Sequence, residues 1–202
     1  MKKIVLLLFF VAIGIQLKAQ SENDLALQHI KDHRVKQEAE FRDKEKSPLE
    51  KADFKKFKGL RYYPIDLNYR VKARFVRNEQ PVLFAMKTTT TRLPEYTRYG
   101  DVYFTLNDQE FHLEVYQNPE ISKRPGYEDY LFIPFTDLTN GEETYDVGRY
   151  LEFRIPTSED VLVDFNLCYN PYCSYSPNYS CPIPPEANHL PIAIPVGEKK
   201  FH

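Results

Sequence analysis

Between Asp164 and Pro185 the chain reads DFNLCYNPYCSYSPNYSCPIPP, and no other stretch restricts the fold as much. Prolines stand at 171, 177, 182, 184 and 185. Each lacks an N–H and holds φ near one value, so neither a helix nor a central strand runs through the segment. It carries all three cysteines, Cys168, Cys173 and Cys181, and four tyrosines from Tyr169 to Tyr179. A loop this long must be held by packing or cross-links, and loops so held carry function disproportionately.

The N-terminus reads as a secretory signal over residues 1–19. Lys2 and Lys3 form the basic start, Ile4 to Ile15 the apolar stretch, and Leu17-Lys18-Ala19-Gln20 the cleavage region. The apolar run is too short for a comfortable membrane span. The first cysteine is Cys168, so no lipid-accepting cysteine follows the signal. The expectation is export to the periplasm or the extracellular space, with no membrane span in the mature chain. With 202 residues, 42% of them hydrophobic, the rest suffices for one domain with a core. A formal net charge of −2 argues against nucleic acid and anionic membrane surfaces as partners.

A charged helical arm is expected over 20–46, with Leu25, Leu27, Ile30 and Phe41 on its apolar side. His29 and His33 have the i, i+4 spacing of a metal pair, but no third ligand accompanies them, and no metal or cofactor is expected. Ser47-Pro48-Leu49-Glu50 is a capping box that opens a short helix ending at Gly59. From Arg61 the hydrophobic period changes to two. Strands are expected over Tyr69–Val76, Pro81–Thr91, Asp101–Leu106, Glu110–Gln117, Asp129–Phe135, Tyr150–Ile155 and Val161–Asn166, with Leu190–Val196 as an edge strand. Asn107-Asp108 is the hairpin turn between the third and fourth. The fold class that follows is mainly β: a single-domain antiparallel sandwich or open barrel over 47–202, with one or two N-terminal helices.

In an oxidising compartment Cys173 and Cys181 pair by default as a disulfide, leaving Cys168 as a buried thiol; other pairings, an intermolecular one included, stay open. Cys173 with His189 and Asp164 or Asn166 makes a weak nucleophile-base set. The acidic turn 137–143 lacks the spacing of a calcium loop. Arg149 opens one strand and Asp164 closes the next. Strands joined by a short link usually pair, so the two charges are expected to meet. They would either clamp the Tyr-rich loop or, with Tyr145, Asn166, Tyr169 and Asn170, line a pocket for a small polar or anionic ligand.

Tyr130-Leu131-Phe132-Ile133-Pro134-Phe135-Thr136-Asp137, Thr144-Tyr145 and Gly148-Arg149-Tyr150-Leu151 resemble a bacterial family known as domain of unknown function 1684. The resemblance continues through Asp164-Phe165-Asn166, Tyr169-Asn170-Pro171, Cys173, Cys181-Pro182, Pro184-Pro185, Asn188 and Gly197-Glu198. Asp146 and Val147 replace the usual glycines, Cys168 a small residue, and Ala187 an acidic one. The resemblance implies a shared fold, concentrates interest on the set from Arg149 to Cys181, and carries no activity. The expected function is an exported small-ligand-binding or scaffold β domain. The alternative is a cell-envelope hydrolase with Asp164 as general base and Arg149 stabilising developing negative charge.

Overall fold

The structure, a computed structural model, describes residues 20–202; the expected signal segment 1–19 lies outside them. Helix α1 (Lys2–Arg42) buries Ala26, Ile30 and Phe41, whereas Leu25 is exposed. Helix α2 (Lys51–Lys56) begins later than the capping box suggests. The Ser47 hydroxyl accepts from Leu49 N at 3.4 Å, which makes a local turn before the helix instead of its cap.

Seven strands form one antiparallel sheet: β1 (Arg70–Arg77), β2 (Leu83–Ala85), β3 (Glu95–Leu106), β4 (Gln109–Gln117), β5 (Tyr130–Phe135), β6 (Arg149–Arg154) and β7 (Asp160–Asp164). Their order is β6-β5-β4-β3-β1-β7, with β2 added to β3. The expected alternation in β1 holds: Val71, Ala73 and Phe75 are buried, Lys72 and Arg74 exposed. Asn107 and Asp108 turn the β3–β4 hairpin with φ of 52° and 60°, the left-handed pair that matches strand twist.

Sheet order explains the curvature. The edge strands β6 and β7 are consecutive in sequence, joined only by residues 155–159. A flat row of six strands would separate its edges by about 24 Å at ~4.8 Å per gap. A link of that length reaches only about 20 Å when fully extended. The sheet therefore curls into an open half-barrel, whose interior holds Val102, Leu113, Val115, Leu131, Ile133 and Phe165. Of the two architectures expected, the open barrel is the one formed.

Two expected strands do not form as read. Pro81–Thr91 contributes only Leu83–Ala85 to the sheet. Beyond it the Thr88 hydroxyl donates to Arg92 O at 2.6 Å, so the threonines close a turn and leave the ladder. Leu190–Val196 crosses the barrel end as an irregular strap, since Pro191 and Pro195 have no N–H to give. Side chains do the work of a strand partner there. Asn188 accepts from Glu114 N at 2.7 Å and donates to Glu114 O at 2.9 Å and Pro134 O at 2.7 Å.

Candidate functional site

Arg149 and Asp164 do not meet. Strands β6 and β7 are the two free edges of the half-barrel, so a short connection here joins edges without pairing them. Asp164 lies opposite Arg70 in the β1–β7 ladder and takes its guanidinium Nε at 3.3 Å. Its other oxygen accepts Asn166 N at 3.0 Å and Asn166 Nδ2 at 2.8 Å. Arg149 instead pairs with Asp137 at 2.7 Å, both side chains fully buried. Its remaining donors hold the strap: Nη2 reaches Ile194 O at 2.8 Å, and Nη1 donates to Val196 O. The clamp expected around Arg149 exists with a different carboxylate, and it grips the C-terminal strap.

The other expected site residues divide. Asn166 bonds both backbone groups of Asp66, accepting at 2.9 Å and donating at 2.9 Å, and so splices a loop onto the barrel. The Tyr145 hydroxyl lies 3.7 Å from the Cys173 Sγ. Tyr169 and Asn170 line a cleft of about 460 Å³ between α1 and the outer face of β3, β5 and β6. That cleft is the candidate site.

Its floor is aromatic. Tyr96, Phe132 and Tyr150 come from β3, β5 and β6, with ring centroids 5.3 Å (Tyr96–Phe132) and 5.4 Å (Phe132–Tyr150) apart. Tyr150 and Tyr169 exchange backbone hydrogen bonds of 2.9 and 3.0 Å, which seats the Pro-rich loop on the free edge of β6. Their rings meet edge to face at 5.9 Å. Tyr172 and Tyr179 form a second edge-to-face pair at 5.2 Å on the loop side. Burial raises the Tyr150 and Tyr169 hydroxyls well above the ordinary phenol range, so they stay neutral hydrogen-bonding groups.

Polar groups enter from three directions. Helix α1 contributes His33, Lys36 and Glu40, and the turn after α3 (Pro119–Ser122) contributes Arg124. Burial lowers the His33 pKa, which favours the neutral imidazole. Glu198 follows the C-terminal strap and is 1% exposed. It accepts from the Tyr175 hydroxyl and, at 3.1 Å, from Asn170 N. Burial pushes its carboxyl up to about 7. Asn170 Nδ2 donates to Lys199 O at 2.8 Å, while its buried Oδ1 has no donor.

Glu198 and Tyr150 entered the sequence analysis only through the family resemblance, and neither they nor Tyr175 and Tyr96 were given a role there. Glu198 follows Gly197 in a short tail with no local signal of burial. The density of tyrosines, 15 in all, was the available signal for the cleft. Cys173 and Cys181, expected as a disulfide, are adjacent, with their sulfurs unbridged. The adjacency follows from the loop's turns, whereas the bond was inferred from compartment alone. Among the described residues no cluster of three or more His, Cys, Asp or Glu side chains suits a metal ion, and no helix is long and apolar enough to cross a membrane.

The family model described as protein of unknown function (DUF1684) matches residues 55–199. The chain belongs to that family. It is also similar to a solved structure, the solution NMR structure of an uncharacterized protein from gene locus rrnAC0354 of Haloarcula marismortui. The two share 30% identity with a TM-score of 0.70, over 89% of this chain and 96% of that one. No curated protein matches. The DUF1684 match contains Arg149, the cysteine pair and Glu198, whereas the α1 wall of the cleft precedes it.

Proposed function

We propose that this DUF1684 chain is an exported protein that binds a small polar ligand with a flat or cyclic face in the tyrosine-lined cleft beneath α1. The basic start and apolar stretch of residues 1–19 support export. The cleft supports binding: its volume of about 460 Å³ suits one small molecule, and aromatic faces combined with a few convergent polar groups are how such sites are built. Lys36 and Arg124 suit an anionic substituent on that ligand. The hydrolase alternative draws no support from the geometry, because Arg149 is fully enclosed and its carboxylate partner is Asp137.

The test uses thermal shift and tyrosine fluorescence, the chain having no tryptophan. A panel of monosaccharides, nucleosides and aromatic carboxylic acids is titrated against the mature chain. At least one class should raise the melting temperature and change the fluorescence. Tyr172→Ala and Lys36→Ala, both at exposed positions, should fold normally and bind at least tenfold more weakly. A panel without binders, or binding that survives both substitutions, rejects the cleft as the site.

A further inference from the structure

Cys173 sits on a single 3-10 turn, Tyr172–Ser174, and Cys181 lies eight residues on in the same loop. The Cys173 N–H donates to the Cys181 Sγ at 3.3 Å, which places the two cysteines side by side. Thr89 fastens the second cysteine: its N–H donates to Cys181 O at 2.9 Å, and its hydroxyl accepts from Cys181 N at 3.2 Å. The pair is thus held together by backbone contacts from two separate loops, whichever oxidation state it is in.

The two sulfurs differ in surroundings. Cys173 is half-buried, with the Tyr145 hydroxyl 3.7 Å from its Sγ. Cys181 is buried against the tyrosine cleft. The Cys181 thiol beside it, and then the Tyr145 hydroxyl, favour a thiolate at Cys173 and lower its pKa against the effect of burial. The neighbouring Cys173, with burial, raises Cys181. Cys168 is different again: it is 1% exposed, and burial pushes it up to about 11.

We propose that Cys173 and Cys181 form a redox-active dithiol that exchanges with disulfides, Cys173 attacking and Cys181 resolving. The Cys173 thiolate attacks one sulfur of a substrate disulfide RSSR. A bond forms between Cys173 and one R–S group, and the other R–S leaves as a thiolate and takes a proton. Cys181 then loses its proton to solvent and attacks the Cys173 Sγ. The intramolecular disulfide forms as the second R–S leaves and is protonated. In sum, the dithiol and RSSR give the protein disulfide and two RSH, with two electrons passing to the substrate. The chemistry is independent of what the cleft binds.

The test uses the mature chain with glutathione as the thiol–disulfide couple. In a series of GSH to GSSG ratios, quenched with iodoacetamide and read by intact mass, the pair should titrate reversibly as one two-electron step. Cys181→Ser should collect one glutathionyl group on Cys173, and Cys173→Ser should collect none on Cys181. Alkylation of Cys173 in the Cys181→Ser chain should outpace that of Cys168 at least tenfold at pH 7. In the Cys181-containing chain, Tyr145→Phe should slow Cys173 alkylation at pH 6 and leave it unchanged at pH 9. A pair that stays oxidised at the highest GSH ratio is a structural disulfide and overturns the proposal. So does a pair that stays reduced in excess GSSG, or equal reactivity at positions 173 and 168.

Discussion

Arg149 Nη2 lies 2.7 Å from Asp137 Oδ2, with neither side chain exposed to solvent. Asp137 is otherwise satisfied by Thr139 N at 2.8 Å, the Thr139 hydroxyl at 2.6 Å and Ile194 N at 3.2 Å. Removing two charges from water is unfavourable, and the pair is viable because these further bonds occupy the carboxylate. The ion pair thus fixes the strap 190–196 over the barrel end.

Arg149→Met should therefore cost about 3–5 kcal/mol, because it strands the Asp137 carboxylate in the interior. Arg149→Lys should recover only part, since one ammonium cannot span Asp137, Ile194 O and Val196 O as the planar guanidinium does. Urea denaturation of the three chains measures this. Equal midpoints would show that the clamp contributes nothing to stability.

Asn188 is fully buried and substitutes for strand pairing at Glu114 and Pro134. Asn188→Ala leaves one N–H and two carbonyls without partners, each costing about 1–3 kcal/mol. Asn188→Asp should be comparably harmful, because a carboxylate cannot donate to the two carbonyls. Hydrogen exchange at the Glu114 amide is the local readout. Unchanged protection there in Asn188→Ala would contradict the splice.

A Cβ at Gly197 would stand 2.2 Å from the Cys168 Sγ and 2.8 Å from Cys168 O, at a residue with φ of +75°. Gly197→Ala should destabilise by overlap and by left-handed strain, together on the order of 2–4 kcal/mol. Combining it with Cys168→Ala removes the sulfur and should return part of that loss. Additive effects in the double variant would disprove contact between the two positions.

Glu198 gives the fold a pH dependence. Its carboxyl is raised by burial from 4.5 to about 7, so between those values the folded chain holds a proton that the unfolded chain has released. Stability is therefore greatest below about pH 4.5 as far as this group is concerned, and falls as pH rises towards 7. The difference is on the order of 3 kcal/mol. Glu198→Gln mimics the protonated form and should flatten the melting profile between pH 5 and 8. An unchanged slope in that variant would assign the dependence elsewhere.

Local structure was legible wherever near neighbours determine it. The alternation of Val71, Ala73 and Phe75 and the Asn107-Asp108 turn both appear as read, because period and turn preference are properties of a few adjacent residues. Arg149, Tyr169 and Asn170 were also singled out by the residue pattern. Their partners were not. The threonines at 88–91 read as strand formers, yet their hydroxyls closed a turn, since the competing backbone bond was within reach.

The sequence alone determined that the chain is mainly β, with a proline-held loop rich in tyrosine and cysteine that no regular element absorbs. Tertiary structure decided which carboxylate faces Arg149, because the β6–β7 link joins the two edges of a curled sheet and β7 pairs with β1 instead. It also decided that Glu198 and α1 complete the cleft, and that Cys173 and Cys181 sit side by side. These contacts depend on chain closure over long separations, where side-chain pattern sets which face is buried but not which distant residue it meets.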